Sequence, residues 1–243
     1  MGRKTLLLSL VLIVVVYLNR SYVYFYDFIG SHKIFPPAYP KMLILGDPTT
    51  TQVIKYVALG DSLTAGAGTQ NYQDSLPFLV GTNLVKTGVR VEVVNLALSG
   101  VGVKQVLNEQ VPRAILEKPD FITLLIGIND IHNLVPPDSF RKDYSKIISL
   151  LTARTRAKII VINIPYLGSD RILLPPYNAL LDSKTKLFND VIKKEVKDKD
   201  IRHVDLYKQT AELFKKASNL YSEDQFHPSK EGYLLWGKII NAN

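Results

Sequence analysis

The sequence predicts an α/β fold in which a parallel sheet carries helices on both faces, preceded by a separate apolar helix. Three features lead there. Short β-branched, nearly continuous apolar runs recur at residues 53–59, 89–96, 121–126, 158–164 and 201–204, as strands buried on both faces require. Between them lie stretches with apolar residues at helical spacing: Phe140, Tyr144, Ile147, Ile148 and Leu151, then Leu180, Leu181, Leu187, Phe188, Val191 and Ile192. The first 30 residues are of another character, mostly apolar and aromatic after two basic residues.

With 243 residues, 47% hydrophobic and 21% charged, the chain can build one domain with a full core, and its composition is that of a globular protein. A net charge of +8 can draw a protein to anionic lipid, acidic polymers or nucleic acid. Here the densest basic stretch, residues 184–202, is interleaved with Asp190, Glu195, Asp198 and Asp200. It reads as a solvated helix face and not as a nucleic-acid site. The absence of cysteine excludes disulfides, thiolate metal sites, a cysteine nucleophile and a bacterial lipoprotein anchor.

In chain order, Arg3 and Lys4 precede an apolar run at residues 6–18, broken only by Ser9. This is the charged start and apolar middle of a secretion signal. Alone, the run rises about 20 Å as a helix, short of a roughly 30 Å hydrocarbon layer. Tyr22, Val23, Tyr24, Phe25, Tyr26, Phe28 and Ile29 extend it at once, so residues 5–29 can span with Arg20 snorkelling and tyrosines at an interface. No small-x-small cleavage site follows Leu18. The expectation is an uncleaved membrane anchor over residues 1–30 with the remaining chain outside the cytoplasm; the alternative is secretion after signal cleavage. Residues 31–52 carry Pro36, Pro37, Pro40 and Pro48 and read as a linker or an edge wrap. Residues 53–243 form the α/β domain.

Active sites of open parallel sheets lie at the carboxyl ends of the strands. There the chain places Gly60-Asp61-Ser62-Leu63, then Ser99-Gly100, then Gly127-Ile128-Asn129-Asp130, and beyond the last strand Asp224-Gln225-Phe226-His227-Pro228. A serine hydroxyl becomes nucleophilic when a histidine takes its proton and a carboxylate orients that histidine. Of the four histidines, His32 falls in the linker, His203 in a strand and His132 after the third strand, where it can line a site. His227, three residues after Asp224, lets one turn hold both partners. Ser62 at a helix start has free backbone N–H groups and the helix dipole beside it. Gly100 permits close backbone approach, and Asn129 offers an N–H₂ donor for an oxyanion. Each residue has a plainer use: Ser62 as a helix cap, Asp224 and His227 in a surface turn, Gly100 and Asn129 as turn residues. Asp61 and Asp130 suit loop ordering. Thr64 stands where an α/β-hydrolase elbow has its second glycine, and no dinucleotide-binding glycine motif follows the first strand.

Leu59-Gly60-Asp61-Ser62-Leu63-Thr64, Asn95-Leu96-Ala97-Leu98-Ser99-Gly100, Gly127-Ile128-Asn129-Asp130 and Asp224-x-x-His227-Pro228 resemble, in this order, the four sequence blocks of the SGNH/GDSL hydrolases. The resemblance covers about residues 53–240. It implies a three-layer α/β/α, flavodoxin-like sandwich with a parallel five-stranded sheet. It also implies a serine esterase working through an acyl-enzyme, with Ser62 as nucleophile, His227 as base and then acid, and Asp224 orienting His227. The oxyanion hole it implies is the backbone N–H of Ser62 and of Gly100 with the Asn129 side chain. No metal and no cofactor are implied. Expected substrates are carboxylic esters, such as O-acetyl groups on envelope polysaccharide or lysophospholipid. The alternatives are O-acyl transfer to a sugar by the same residues, or a catalytically silent binding module on a membrane stalk. The proline-interrupted segment 165–178, with Ile172, Leu173 and Leu174 in a row, either lines an acyl pocket or plugs the core.

Overall fold

The computed structural model describes residues 2–40, 42–85, 88–166 and 168–242. Among the described residues six strands form one sheet: β1 (Leu43–Leu45), β2 (Val53–Gly60), β3 (Arg90–Asn95), β4 (Phe121–Leu125), β5 (Lys158–Ile162) and β6 (Ile201–Val204), in the spatial order β1-β3-β2-β4-β5-β6. β2 to β6 are mutually parallel, and their limits fall within two residues of the runs read from sequence. The sheet therefore has one strand more than the five expected. β1 lies in the stretch read as linker and pairs antiparallel with β3, Leu43 opposite Val93 and Leu45 opposite Val91. Three residues are too few to show a period, and their pairing partner is far along the chain, so this edge strand comes from tertiary context.

The helices are α1 (Arg3–Ser31), α2 (Ser62–Ala65), α3 (Leu76–Leu84), α4 (Val103–Gln105), α5 (Val111–Glu117), α6 (Ile128–His132), α7 (Pro137–Arg154), α8 (Tyr177–Val196), α9 (Leu206–Lys216) and α10 (Lys230–Asn241). A π turn, Val106–Gln110, joins α4 to α5. α3, α9 and α10 pack together on one face of the sheet, and α5, α7 and α8 on the other. Strand residues such as Val57, Ala58, Leu59, Ile122 and Leu124 have no exposed surface, because both faces are covered. The strand order reverses at β2, with β3 on one side and β4 on the other, which opens a crevice at the carboxyl ends of these strands.

α1 is one unbroken helix, long and apolar enough to cross a membrane by length and composition. It divides into two parts. Residues 3–17 touch nothing that buries them. From Leu18 on, one stripe at helical spacing (Leu18, Ser21, Phe25, Phe28, Ile29) packs against the α/β core. Ser21 Oγ donates to the Pro175 carbonyl at 2.8 Å, and Tyr26 Oη donates to the His132 carbonyl at 3.1 Å. Much of what sequence reads as the second half of a lipid span is therefore a docking face. In the segment 165–178, Ile172 and Leu173 are buried in the core while Leu174 is 36% exposed, so the first two plug the core. Leu167 of that segment lies outside the described residues.

Candidate active site

β2 ends at Gly60, where the chain turns sharply into α2. A Cβ on Gly60 would stand 2.3 Å from the Leu125 carbonyl oxygen and 2.3 Å from Thr64 Oγ1, so only glycine lets β2 and β4 close while the chain turns. The Gln110 side chain grips this peptide on both sides. Its Oε1 accepts from Gly60 N–H at 2.9 Å, and its Nε2 donates to the Gly60 carbonyl at 2.8 Å. Asp61 caps α2 by accepting from Leu63 N–H at 3.0 Å. Ser62, the first residue of α2, is 6% exposed.

His227 comes from the loop between α9 and α10. Ser222, Asp224 and Gln225 form a tight turn, with Gln225 at φ +57° and its N–H donating to the Ser222 carbonyl at 2.9 Å. Asp224 Oδ1 collects the Ser222 hydroxyl at 2.8 Å and the Phe226 and His227 N–H groups at 3.0 Å each. Asp224 Oδ2 stands 2.6 Å from His227 Nδ1, and His227 Nε2 stands 2.9 Å from Ser62 Oγ. The tautomer that donates Nδ1–H to Asp224 leaves Nε2 to accept from Ser62. Burial opposes charge on Asp224, but the bond and charge of His227 and the two backbone donors outweigh it and hold this carboxyl below its ordinary range. Gly68 allows the loop after α2 to meet this turn, since a Cβ there would lie 2.3 Å from the Pro228 carbonyl oxygen.

The other loops converge on the same end of the sheet. Leu96 N–H donates to Ala58 O at 2.9 Å and Leu98 N–H to Gly60 O at 3.3 Å, which carries the loop after β3 up to the level of Ser62. Asn129 Nδ2 donates to Val101 O at 2.9 Å, and the Asp130 carboxylate accepts from Val103 N–H at 2.9 Å, so α6 is tied to that loop on both sides. The Asn129 amide has a second N–H beyond the one given to Val101. Gly100, at φ +79°, is exposed at the rim. The arrangement offers a hydroxyl, a base with its orienting carboxylate, and neutral donors nearby, which are the parts acyl transfer requires.

Asp61 and Asp130 serve loop order, as the sequence suggests. His132 is buried beside the site. Burial first, and the proximity of His227 second, push it down to about 4, so it is neutral at pH 7. His203 lies in β6, at the edge of the sheet away from β2, and His32 follows α1. Sequence reading misses Gln110, Ser222, Phe226 and Phe25. Gln110 acts through the Gly60 backbone and Ser222 through its hydroxyl bond to Asp224, neither of which carries a motif, and the two phenylalanines look like ordinary apolar residues. Among the described residues no group of three or more His, Cys, Asp or Glu could hold a metal ion.

Residues 58–235 match the GDSL-like Lipase/Acylhydrolase family. The chain belongs to this family. It is thus a hydrolase of the SGNH/GDSL esterase type. Similar solved structures include a lipase/acylhydrolase from Enterococcus faecalis, 24% identical, covering 78% of this chain and 94% of that one with a TM-score of 0.62. The esterase EstA from a Pseudoalteromonas species is 17% identical, with coverage of 77% and 94% and a TM-score of 0.60. Axe2, an acetylxylan esterase from Geobacillus stearothermophilus, is 20% identical, with coverage of 79% and 93% and a TM-score of 0.59. Among curated proteins no sequence matches. The likeness in structure shows the SGNH hydrolase fold.

The buried capping carboxylate of this GDSL-type domain gives a test. Burial raises Asp61 from 3.8 to about 7, and the charge of Asp130 adds to the rise against the Leu63 hydrogen bond. Asp130 shifts the same way, to about 6, again mainly through burial. The folded chain thus keeps protons that the unfolded chain releases near its ordinary carboxylate value. The resulting stability is complete at low pH and is lost as pH rises through about 7. Asp61→Asn keeps the cap acceptor and removes the charge. Its thermal midpoint should fall less than wild type between pH 5 and pH 8, by on the order of a few °C. Equal falls in both proteins would show that Asp61 ionises in the fold as it does in water.

Proposed function

We propose that Ser62 is the nucleophile of a carboxylic-ester hydrolase, with His227 as general base and Asp224 as the group that orients it. The continuous relay from Asp224 Oδ2 through His227 to Ser62 Oγ, with spacings of 2.6 and 2.9 Å, carries this reading. His227 Nε2 takes the Ser62 proton as Oγ attacks the ester carbonyl. The carbonyl oxygen becomes negative and is held by the N–H groups of Ser62 and Gly100 and the free N–H of Asn129. His227 then gives its proton to the departing alcohol, leaving an acyl-enzyme that water opens by the same steps in reverse order. Chemistry at this site needs no metal or cofactor.

The substrate reading is a short acyl ester, such as an O-acetyl group on envelope carbohydrate. It is supported by a cleft of about 550 Å³ beside Gly100, whose lining includes Lys104, Gln105, Asn133 and Lys142, side chains able to bond a polar alcohol portion. The hydrolase portion is read as residues 53–243 with the β1 edge supplied by the preceding connector. α1 is read as a retained anchor. Residues 3–20, from the two basic residues to Arg20, are about 27 Å long as a helix, close to a hydrocarbon layer of roughly 30 Å. Docking of Ser21, Phe25 and Ile29 on the domain supports retention, since removal would bare that face. The domain would then sit directly on the outer membrane–water boundary, within reach of surface glycan and of lysophospholipid.

A serine-directed phosphonate should modify Ser62 alone, read by mass spectrometry. Ser62→Ala or His227→Ala should lower turnover by several orders of magnitude and Asn129→Ala by roughly 10²–10³. Modification at Ser99 or Ser229, or full activity in Ser62→Ala, would remove Ser62 from the role. Arg3 and Lys4 should hold the first end of α1 inside the cell. Protease added to intact cells should therefore degrade the domain; survival of folded, anchored protein until the cells are opened would reverse the topology.

A further inference from the structure

α1 does more than tether. Phe25, from its docked half, is 3% exposed although it belongs to a helix whose first half is bare. Its ring lies parallel on His132 at 4.9 Å between centroids, 5.7 Å from Tyr177 and 5.7 Å from Phe226. Phe226 in turn stands edge-on to His227 at 5.0 Å, and His227 Nε2 is bonded to Ser62. Phe25 is thus one aromatic ring removed from the base of the proposed relay. It fills the apolar gap between α6, which carries Asn129, and the loop that carries His227. Its neighbours offer no charge, His132 being neutral through burial.

In the tetrahedral intermediate of the proposed reaction, three groups besides Ser62 Oγ surround the carbon. The oxyanion faces Gly100 and Asn129, and the leaving oxygen faces His227 Nε2. The acyl substituent remains; Phe226, edge-on to His227 and backed by Phe25, is the apolar side chain beside the relay that suits it. We propose that Phe25 is a specificity-determining residue: the anchor helix supplies the end wall of the acyl pocket and limits it to short acyl groups. This rests on the esterase reading of Ser62 and goes beyond it by assigning part of the pocket to α1. Two hydrogen bonds at the flanks of the ring, Ser21 to Pro175 and Tyr26 to the His132 carbonyl, fix the helix at this depth. One of them ends on the residue that Phe25 stacks upon.

The test uses the full chain in phosphatidylcholine vesicles, with acetyl, butyryl and octanoyl esters of one chromogenic alcohol. Phe25→Ala should raise the octanoyl-to-acetyl ratio of kcat/KM by about 10-fold or more, and Phe25→Leu should fall between it and wild type. Ser62 labelling by ethyl and octyl phosphonates should shift in the same order. An unchanged ratio in a folded variant, or equal losses on every ester and both phosphonates, would make Phe25 a docking residue only and overturn the assignment. If Phe25→Ala does not fold, Phe25→Leu decides by the same ratio. A wild-type chain that cleaves no ester and takes neither phosphonate at Ser62 would remove the esterase reading itself, and the assignment with it.

Discussion

The absence of a side chain at Gly60 is the constraint on which the site depends. β2 is flanked on both sides, by β3 and β4, and the chain leaves it at the place where the strand order reverses. Any Cβ there would drive into the Leu125 carbonyl and Thr64, so the strand could not end as it does. Gln110 then holds the same peptide by both its N–H and its carbonyl. A π turn ending on Gln110 is the local irregularity that accompanies this grip; such turns cost regular helix bonding and cluster where side chains must be aimed. With Gly60 fixed, Ser62 begins a helix facing the crevice, and the loop after β3 can bond at the same level.

Around Ser62 the buried carboxylates divide by environment. Asp224 has four donors on its two oxygens and stays charged, which is what a group orienting an imidazole needs. Asp61 has one oxygen bonded to Leu63 and the other buried without a partner, so its proton is held to about pH 7. The difference follows from counting donors, since burial alone raises both. Asp130 lies between these cases, taking the Val103 N–H on both oxygens.

Much of this was legible in the sequence. Each parallel strand shows as an apolar run because burial on both faces leaves no alternation to interpret. The residues proposed for the site, Ser62, Gly100, Asn129, Asp224 and His227, can be picked out in the sequence because each follows a strand end or a turn, where the motif residues are local in sequence. What was not legible depends on distant partners. β1 needs Val91–Val93 to exist as a strand. Gln110 is one polar residue in a helix until Gly60 lies against it. The stripe Leu18, Ser21, Phe25, Ile29 sits within a sequence so apolar that a docking face and a lipid face look alike. Only Ser21 breaks it, and its bond to Pro175 lies 154 residues away along the chain.

The most direct measurement is a crystal structure of the full chain after reaction with a butyl phosphonate. The phosphorus should be bonded to Ser62 Oγ, with its free oxygen within hydrogen-bond distance of the Gly100 N–H and Asn129 Nδ2 and the butyl chain ending against Phe25. A phosphorus on another residue, or one on Ser62 whose oxygen points away from Gly100 and Asn129, would contradict the proposed chemistry of the site.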